Sequence, residues 1–71
     1  MRQVLIDIKN NRTTSFWSDG SITWLPLDTY EFKDDEDYSV LTQSGAAGFN
    51  KSRIIKGSYL KALLKRILHN N

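Results

Sequence analysis

Cysteine is absent from these 71 residues, which removes disulfides and cysteine-ligated zinc as ways of holding a small fold together. A single histidine, His69, leaves no second imidazole or thiol to pair with the serines and threonines, so no nucleophile–base couple can be picked out. No apolar run approaches the roughly 20 residues that span a bilayer. The opening MRQVLIDIKN lacks the apolar stretch of a signal peptide, because Asp7 interrupts it. Gly45-Ala46-Ala47-Gly48 lacks the spacing and trailing Lys-Ser/Thr of a phosphate-binding loop and reads as a hinge or tight loop. The acidic run Asp34-Asp35-Glu36-Asp37 lacks the alternating ligands, central glycine and terminal glutamate of a calcium loop. From these absences the expectation is a cytoplasmic protein with no catalytic residue, metal, cofactor or membrane partner.

What is present amounts to one domain, residues 1–71. A chain this short buries only about 60% of the surface its unfolded form exposes, so it has one core and little stability to spare. At about 0.1 kcal/mol per residue, the total is several kcal/mol. That core must come from Ile, Leu, Val and aromatic side chains, or from a partner that covers an exposed face.

Val4, Ile6 and Ile8 alternate with Leu5, Asp7 and Lys9, the period of a strand with one buried face. Asn10-Asn11 supplies turn chemistry. Thr13–Trp17 and Ser21–Leu25 flank Asp19-Gly20, the signature of a β-hairpin. Pro26 cannot donate to a ladder, so the third strand ends there or lies at an edge. Beyond it, Thr29, Tyr30 and Phe32 read either as a short strand or as a segment, Leu27 to Phe32, turning over the sheet. The acidic run is expected to be exposed, because burying adjacent like charges is prohibitive. Tyr38 to Leu41 reads as a final short strand, and Ile54-Ile55 as a plug into the core. Ser58 is placed to N-cap a helix to about His69, with Leu60, Leu63, Leu64, Ile67 and Leu68 on one face. The predicted fold is α+β: an antiparallel sheet of three to four strands against one C-terminal amphipathic helix. A small barrel with a terminal helix is the runner-up. Trp17 and Trp24 read by default as core, with an exposed recognition patch as the alternative.

Charge is divided along the chain. Residues 1–50 hold four basic and eight acidic side chains, net −4; residues 51–71 hold six basic ones and no acid, net +6. Lys51, Arg53, Lys56, Lys61, Lys65 and Arg66, with Phe49 and Tyr59 interleaved, have the makings of a nucleic-acid-binding segment, cations for phosphates and aromatic planes for bases. DNA and RNA are both open as ligands. The competing reading is internal: the basic end folds against the acidic middle and the two fields cancel. A second functional reading is a compact protein-binding inhibitor or adaptor, of the kind phages and mobile elements encode. It would grip its target through Asp34, Asp35, Glu36 and Asp37, or through an exposed aromatic patch. A homodimer that completes an undersized core is the third.

Asp7 after an apolar strand, Ser18-Asp19-Gly20 in the hairpin turn, and Gly48-Phe49-Asn50 leading to Ile55-Lys56-Gly57-Ser58-Tyr59 together resemble the KTSC domain family. The chain departs from that pattern at Leu25-Pro26-Leu27-Asp28-Thr29-Tyr30, in its longer acidic middle, and in the basic helix after Tyr59. What the resemblance implies is a binding role, with RNA as one candidate ligand.

Overall fold

The alternation of Val4 and Ile6 with Leu5 and Asp7 builds a central strand, β1 (Arg2–Asp7), with neighbours on both sides. The computed structural model describes residues 1–43 and 52–70, the last by its backbone alone. The other elements are β2 (Arg12–Phe16), β3 (Ile22–Pro26), β4 (Asp37–Gln43), β5 (Arg53–Lys56) and a helix, α1 (Gly57–Asn70). The strands form one sheet in the order β3-β2-β1-β4-β5. All neighbours are antiparallel except β1 and β4, which run parallel with Val4 beside Val40.

The α+β class is as expected, but the sheet has five strands and is mixed. Tyr38–Leu41 is neither short nor final: it belongs to a seven-residue strand inserted beside β1. Ile54-Ile55 is no plug. The pair lies in edge strand β5, with Ile55 turned to the core and Ile54 to the outside. An open sheet with β3 and β5 as its two edges is not a barrel.

The β2–β3 hairpin turns at Gly20, whose φ of +89° costs a residue without a Cβ nothing. The Asp19 carboxylate accepts hydrogen bonds from the Ser21 amide (2.9 Å) and hydroxyl (2.6 Å), and these hold its pKa below the ordinary carboxylate value. The turn before β2 uses Asn11 at φ 54°, a backbone region asparagine tolerates. β3 stops at Pro26, as expected of an edge strand.

A parallel pair needs a crossover, and residues 27–36 supply it without a regular strand. Leu27 and Phe32 are buried from this segment, so it turns over the sheet. It lies on the sheet's inner face beside α1. The core there joins Val4, Ile6, Tyr38 and Val40 to Leu27 and Phe32 and to Leu60 and Leu64 of the helix. Phe32 meets the Tyr38 ring edge-on at 5.2 Å. Arg2 closes this end of the core, with its guanidinium 4.5 Å from the Trp17 ring, 4.9 Å from Phe32 and 5.0 Å from Tyr38.

The helix begins one residue earlier than expected, and Ser58 is not its cap. Gly57 N–H donates to the Glu36 carbonyl (2.9 Å) and Ser58 N–H to the Asp34 carbonyl (3.2 Å). Two of the four unpaired amides at a helix start are thus satisfied by the acidic turn. Carboxylates near this end also complement the helix dipole, and α1 has no acid of its own in the first turn. The Tyr38 hydroxyl fixes the same turn: it accepts from Lys33 N–H (2.8 Å) and donates to Glu36 Oε2 (3.0 Å). Burial pushes the pKa of this phenol up.

Asp7 ends β1 and braces the turn that follows. It accepts from the Asn10 side-chain amide (2.7 Å) and backbone N–H (3.2 Å), with the Arg12 Nε 3.7 Å away, too far for a hydrogen bond. The Asn10 side-chain bond is the largest influence on its pKa, which lies below the ordinary 3.8 although burial pulls the other way. A carboxylate with a depressed folded pKa contributes stability that is complete above the unfolded value and lost as pH falls through the folded one. Asp7→Asn should therefore lower the melting temperature at neutral pH, and the gap from wild type should close as pH drops below about 3.8. Thermal melts from pH 2 to 7 on both proteins would measure this.

Candidate functional site

The basic segment does not form one free stripe. Lys56 Nζ lies 2.9 Å from Asp37 Oδ1, and Lys61 Nζ lies 2.8 Å from Asp34 Oδ1. Lys65 sits over the Tyr30 ring at 5.9 Å. Arg53 and Arg66 are exposed and, among the described residues, make no ion pair. Lys51, Phe49 and the Gly45–Gly48 loop lie outside the described residues. Much of the opposition between a basic end and an acidic middle is thus spent inside the molecule.

The acidic run is exposed throughout, yet it too is engaged. Asp34 and Asp37 are the partners just named, Glu36 accepts from Tyr38, and the Asp35 carbonyl lies 3.5 Å from Lys56 Nζ. His69 is exposed near the end of α1, beside Tyr30, Lys65 and Leu68. Among the described residues no group of His, Cys, Asp or Glu is arranged to hold a metal ion, and no helix is long and apolar enough to cross a membrane.

The most distinctive surface is the outer face of the sheet, which the helix and the crossover leave uncovered. Strand pairing fixes its layout. One row across the sheet reads Ile22, Phe16, Gln3, Ser39, Ile54; the next reads Trp24, Thr14, Leu5, Leu41; a third reads Pro26, Arg12, Asp7, Gln43. Phe16 is 38% exposed, Ile22 54%, Trp24 62% and Ile54 63%. Large apolar side chains are normally exposed singly, whereas these four share one face. Between Phe16 and β4 the face dips into a hollow of about 370 Å³, lined by Gln3, Leu5, Phe16, Ser39, Leu41 and Ser52.

The cations of this face stand beside acids. Arg12 stacks on Trp24 at 4.9 Å and neighbours Asp7, while Lys56 pairs with Asp37. The face therefore carries its large apolar side chains on β3, on Phe16 of β2 and on Ile54 of β5, with Gln3, Thr14, Ser39 and the leucines Leu5 and Leu41 between them, and is nearly neutral at its corners.

The default reading of both tryptophans as core is corrected. Trp24 is paired with Thr14 in the ladder and faces outward. Trp17 is 41% exposed, packs on Arg2 and donates its indole N–H to Thr23 Oγ1 at 2.8 Å. The inner positions of β2 are instead Thr13 and Ser15, both buried under the crossover and helix layer. Strand β2 is thus inverted, with small hydroxyl residues inside and Phe16 outside.

Comparison with family models, with curated proteins and with solved structures finds no match.

Proposed function

We propose that this protein is a non-enzymatic protein-binding module whose contact surface is the outer sheet face around Trp24, Phe16, Ile22 and Ile54. The observation that carries the reading is the shared, uncovered position of these four large apolar side chains. An aromatic anchor within an apolar patch and a polar rim is the usual composition of a protein interface. The charge pattern favours protein over nucleic acid here, because a phosphate backbone needs cations without carboxylates beside them. Arg12 and Lys56, the cations of this face, each have an aspartate as neighbour. The acidic run 34–37 is a weaker candidate, since its side chains and carbonyls already serve Lys61, Lys56, Tyr38 and the start of α1.

Nucleic-acid contact is the second reading. It rests on Arg53, Lys65 and Arg66, the described basic residues of the C-terminal segment outside the ion pairs. Three cations give a footprint of about three phosphates, and affinity that falls with salt at a log–log slope of about −2.7 on duplex DNA.

One experiment separates the two. A photo-crosslinking amino acid is placed at position 24 in one protein and at position 66 in another, and each is irradiated in the native host cell. Protein adducts from position 24, reduced by a second change Ile54→Ser, are the expected result. Nucleic-acid adducts from position 66 with none from position 24 would replace the first reading by the second.

A further inference from the structure

We infer that the occupant of the outer sheet face is a second copy of this chain, docked face to face about a two-fold axis parallel to the strands; this rests on the open-face reading above. The argument begins with shape. The strand order places bulk on one half of the face, Ile22 and Trp24 on β3 and Phe16 on β2. The other half carries Ser39, Leu41 and Ser52 around the hollow, with Ile54 as its one large apolar side chain at the β5 edge. A two-fold along the strands reverses the strand order of the second copy, so β3 of one lies over β5 of the other. Phe16 of each copy then lies over Ser39 at the rim of the partner's hollow, Trp24 over Ser52, and Ile22 against Ile54, each contact made twice, once on each side of the axis. A two-fold across the strands would instead set ridge on ridge and leave both hollows empty.

Charge agrees with the same choice. In the register, Lys56 lies one row beyond Ile54 at the β5 edge, and the Ser18-Asp19-Gly20 turn lies one row beyond Phe16 and Ile22 at the opposite side. Reversal of strand order brings Lys56 of each copy, exposed and already paired with Asp37, over the Asp19 turn of the other, where it meets a second carboxylate at both ends of an isologous contact. Two such sheets pack with their strands nearly aligned and their faces about 10 Å apart, a separation that side chains of this size fill.

Area sets the strength. Five strands of four to seven residues, overlapping over about five, give a face of about 20 by 17 Å, which with side-chain relief is roughly 500–600 Å² per copy. A total near 1,200 Å² is the lower limit of the standard interface, the range of weak and transient contacts, so association is sought around a dissociation constant on the order of 10 µM.

Sedimentation equilibrium of the full chain over roughly two decades either side of that value tests the inference. The expected result is a mass rising from one chain to two. Trp24→Ser and Ile54→Ser, both at exposed positions, should each weaken association by about tenfold or more while leaving the circular dichroism spectrum unchanged. Asp19→Asn keeps an oxygen to accept from Ser21, and with Lys56→Gln it completes a double-mutant cycle. Each single change should weaken the dimer about threefold, and the pair no more than either alone. A dimer indifferent to Trp24→Ser and Ile54→Ser overturns the inference, and an additive cycle overturns the strand-parallel axis. A chain monomeric throughout, yet crosslinked from position 24 to another protein, overturns the second copy and leaves the open-face reading standing. Monomer with no adducts at position 24 sinks both.

Discussion

Gly57→Ala is expected to cost about 3 kcal/mol, a large part of the stability of a 71-residue domain. The reason is space. A Cβ at Gly57 would fall on the Lys33 carbonyl oxygen, 2.7 Å from its carbon and 3.1 Å from Tyr38 Cε2. The Lys33 carbonyl cannot retreat freely, because it accepts the Glu36 N–H at 3.2 Å while the Lys33 amide is held by the Tyr38 hydroxyl. Moving Gly57 away instead would break its bond to the Glu36 carbonyl and uncap the helix. Urea denaturation should show the midpoint falling steeply with the m-value unchanged. Gly20→Ala makes a useful control. Nothing lies within 4 Å of a Cβ there, so only the strain of positive φ is added, about 1 kcal/mol. Equal costs for the two would mean that the close approach of α1 to the crossover is wrongly drawn.

Leu64→Ala should cost about 2–5 kcal/mol, because its side chain is fully buried between helix and sheet and its loss leaves a cavity. Lys61→Ala, one turn earlier, should cost less than about 1 kcal/mol even though it removes the 2.8 Å pair with Asp34. That pair is well formed, but Asp34 is largely in water, where Coulomb attraction is screened and ordering two side chains is costly. Denaturation of the two variants side by side would give the ratio. A Lys61 variant as unstable as the Leu64 variant would mean that charge, rather than the leucine stripe, holds the helix down.

The parts of the fold that are local in sequence are the parts the sequence displays. Asp19-Gly20 announces the hairpin because type and spacing of turn residues decide it within a few positions. Leu60, Leu64 and their neighbours announce the helix by period. Two features are hidden. One is the place of β4: Tyr38 to Leu41 reads as a strand, but nothing near it says that it pairs with β1, in parallel, on the side opposite β2. The other is the outer face. Expectation places the tryptophans inside by default, whereas Trp24 of β3 faces outward and β2 buries Thr13 and Ser15 where the second layer comes close. Thr14 and Phe16 alternate with Thr13 and Ser15, but hydrophobicity alone assigns the wrong side to the core. Phe16, Ile22 and Ile54 therefore carry no sequence signal of an exposed site, while Trp24 stands out by type. The basic cluster shows the converse: cations close in sequence are divided by geometry among the described residues, because Lys56 and Lys61 fold back onto Asp37 and Asp34 while Arg53 and Arg66 do not.

The parallel pairing of β1 with β4 bears on how the chain acquires its shape. The first strand meets β2 across a four-residue turn, but its other neighbour lies 36 positions further on, Arg2 beside Tyr38. During synthesis at about 5–20 residues per second, the three-stranded meander can therefore form seconds before the strand that completes β1 has emerged. Until then β1 is a temporary edge, with Val4 and Ile6 on a face that α1 does not yet cover. The long closure makes the last docking steps the slow ones, since loop entropy is lost before any contact repays it. The meander, with its apolar side chains open on both faces, is the species most exposed to wrong pairing, and the arrival of β4, β5 and α1 ends that exposure.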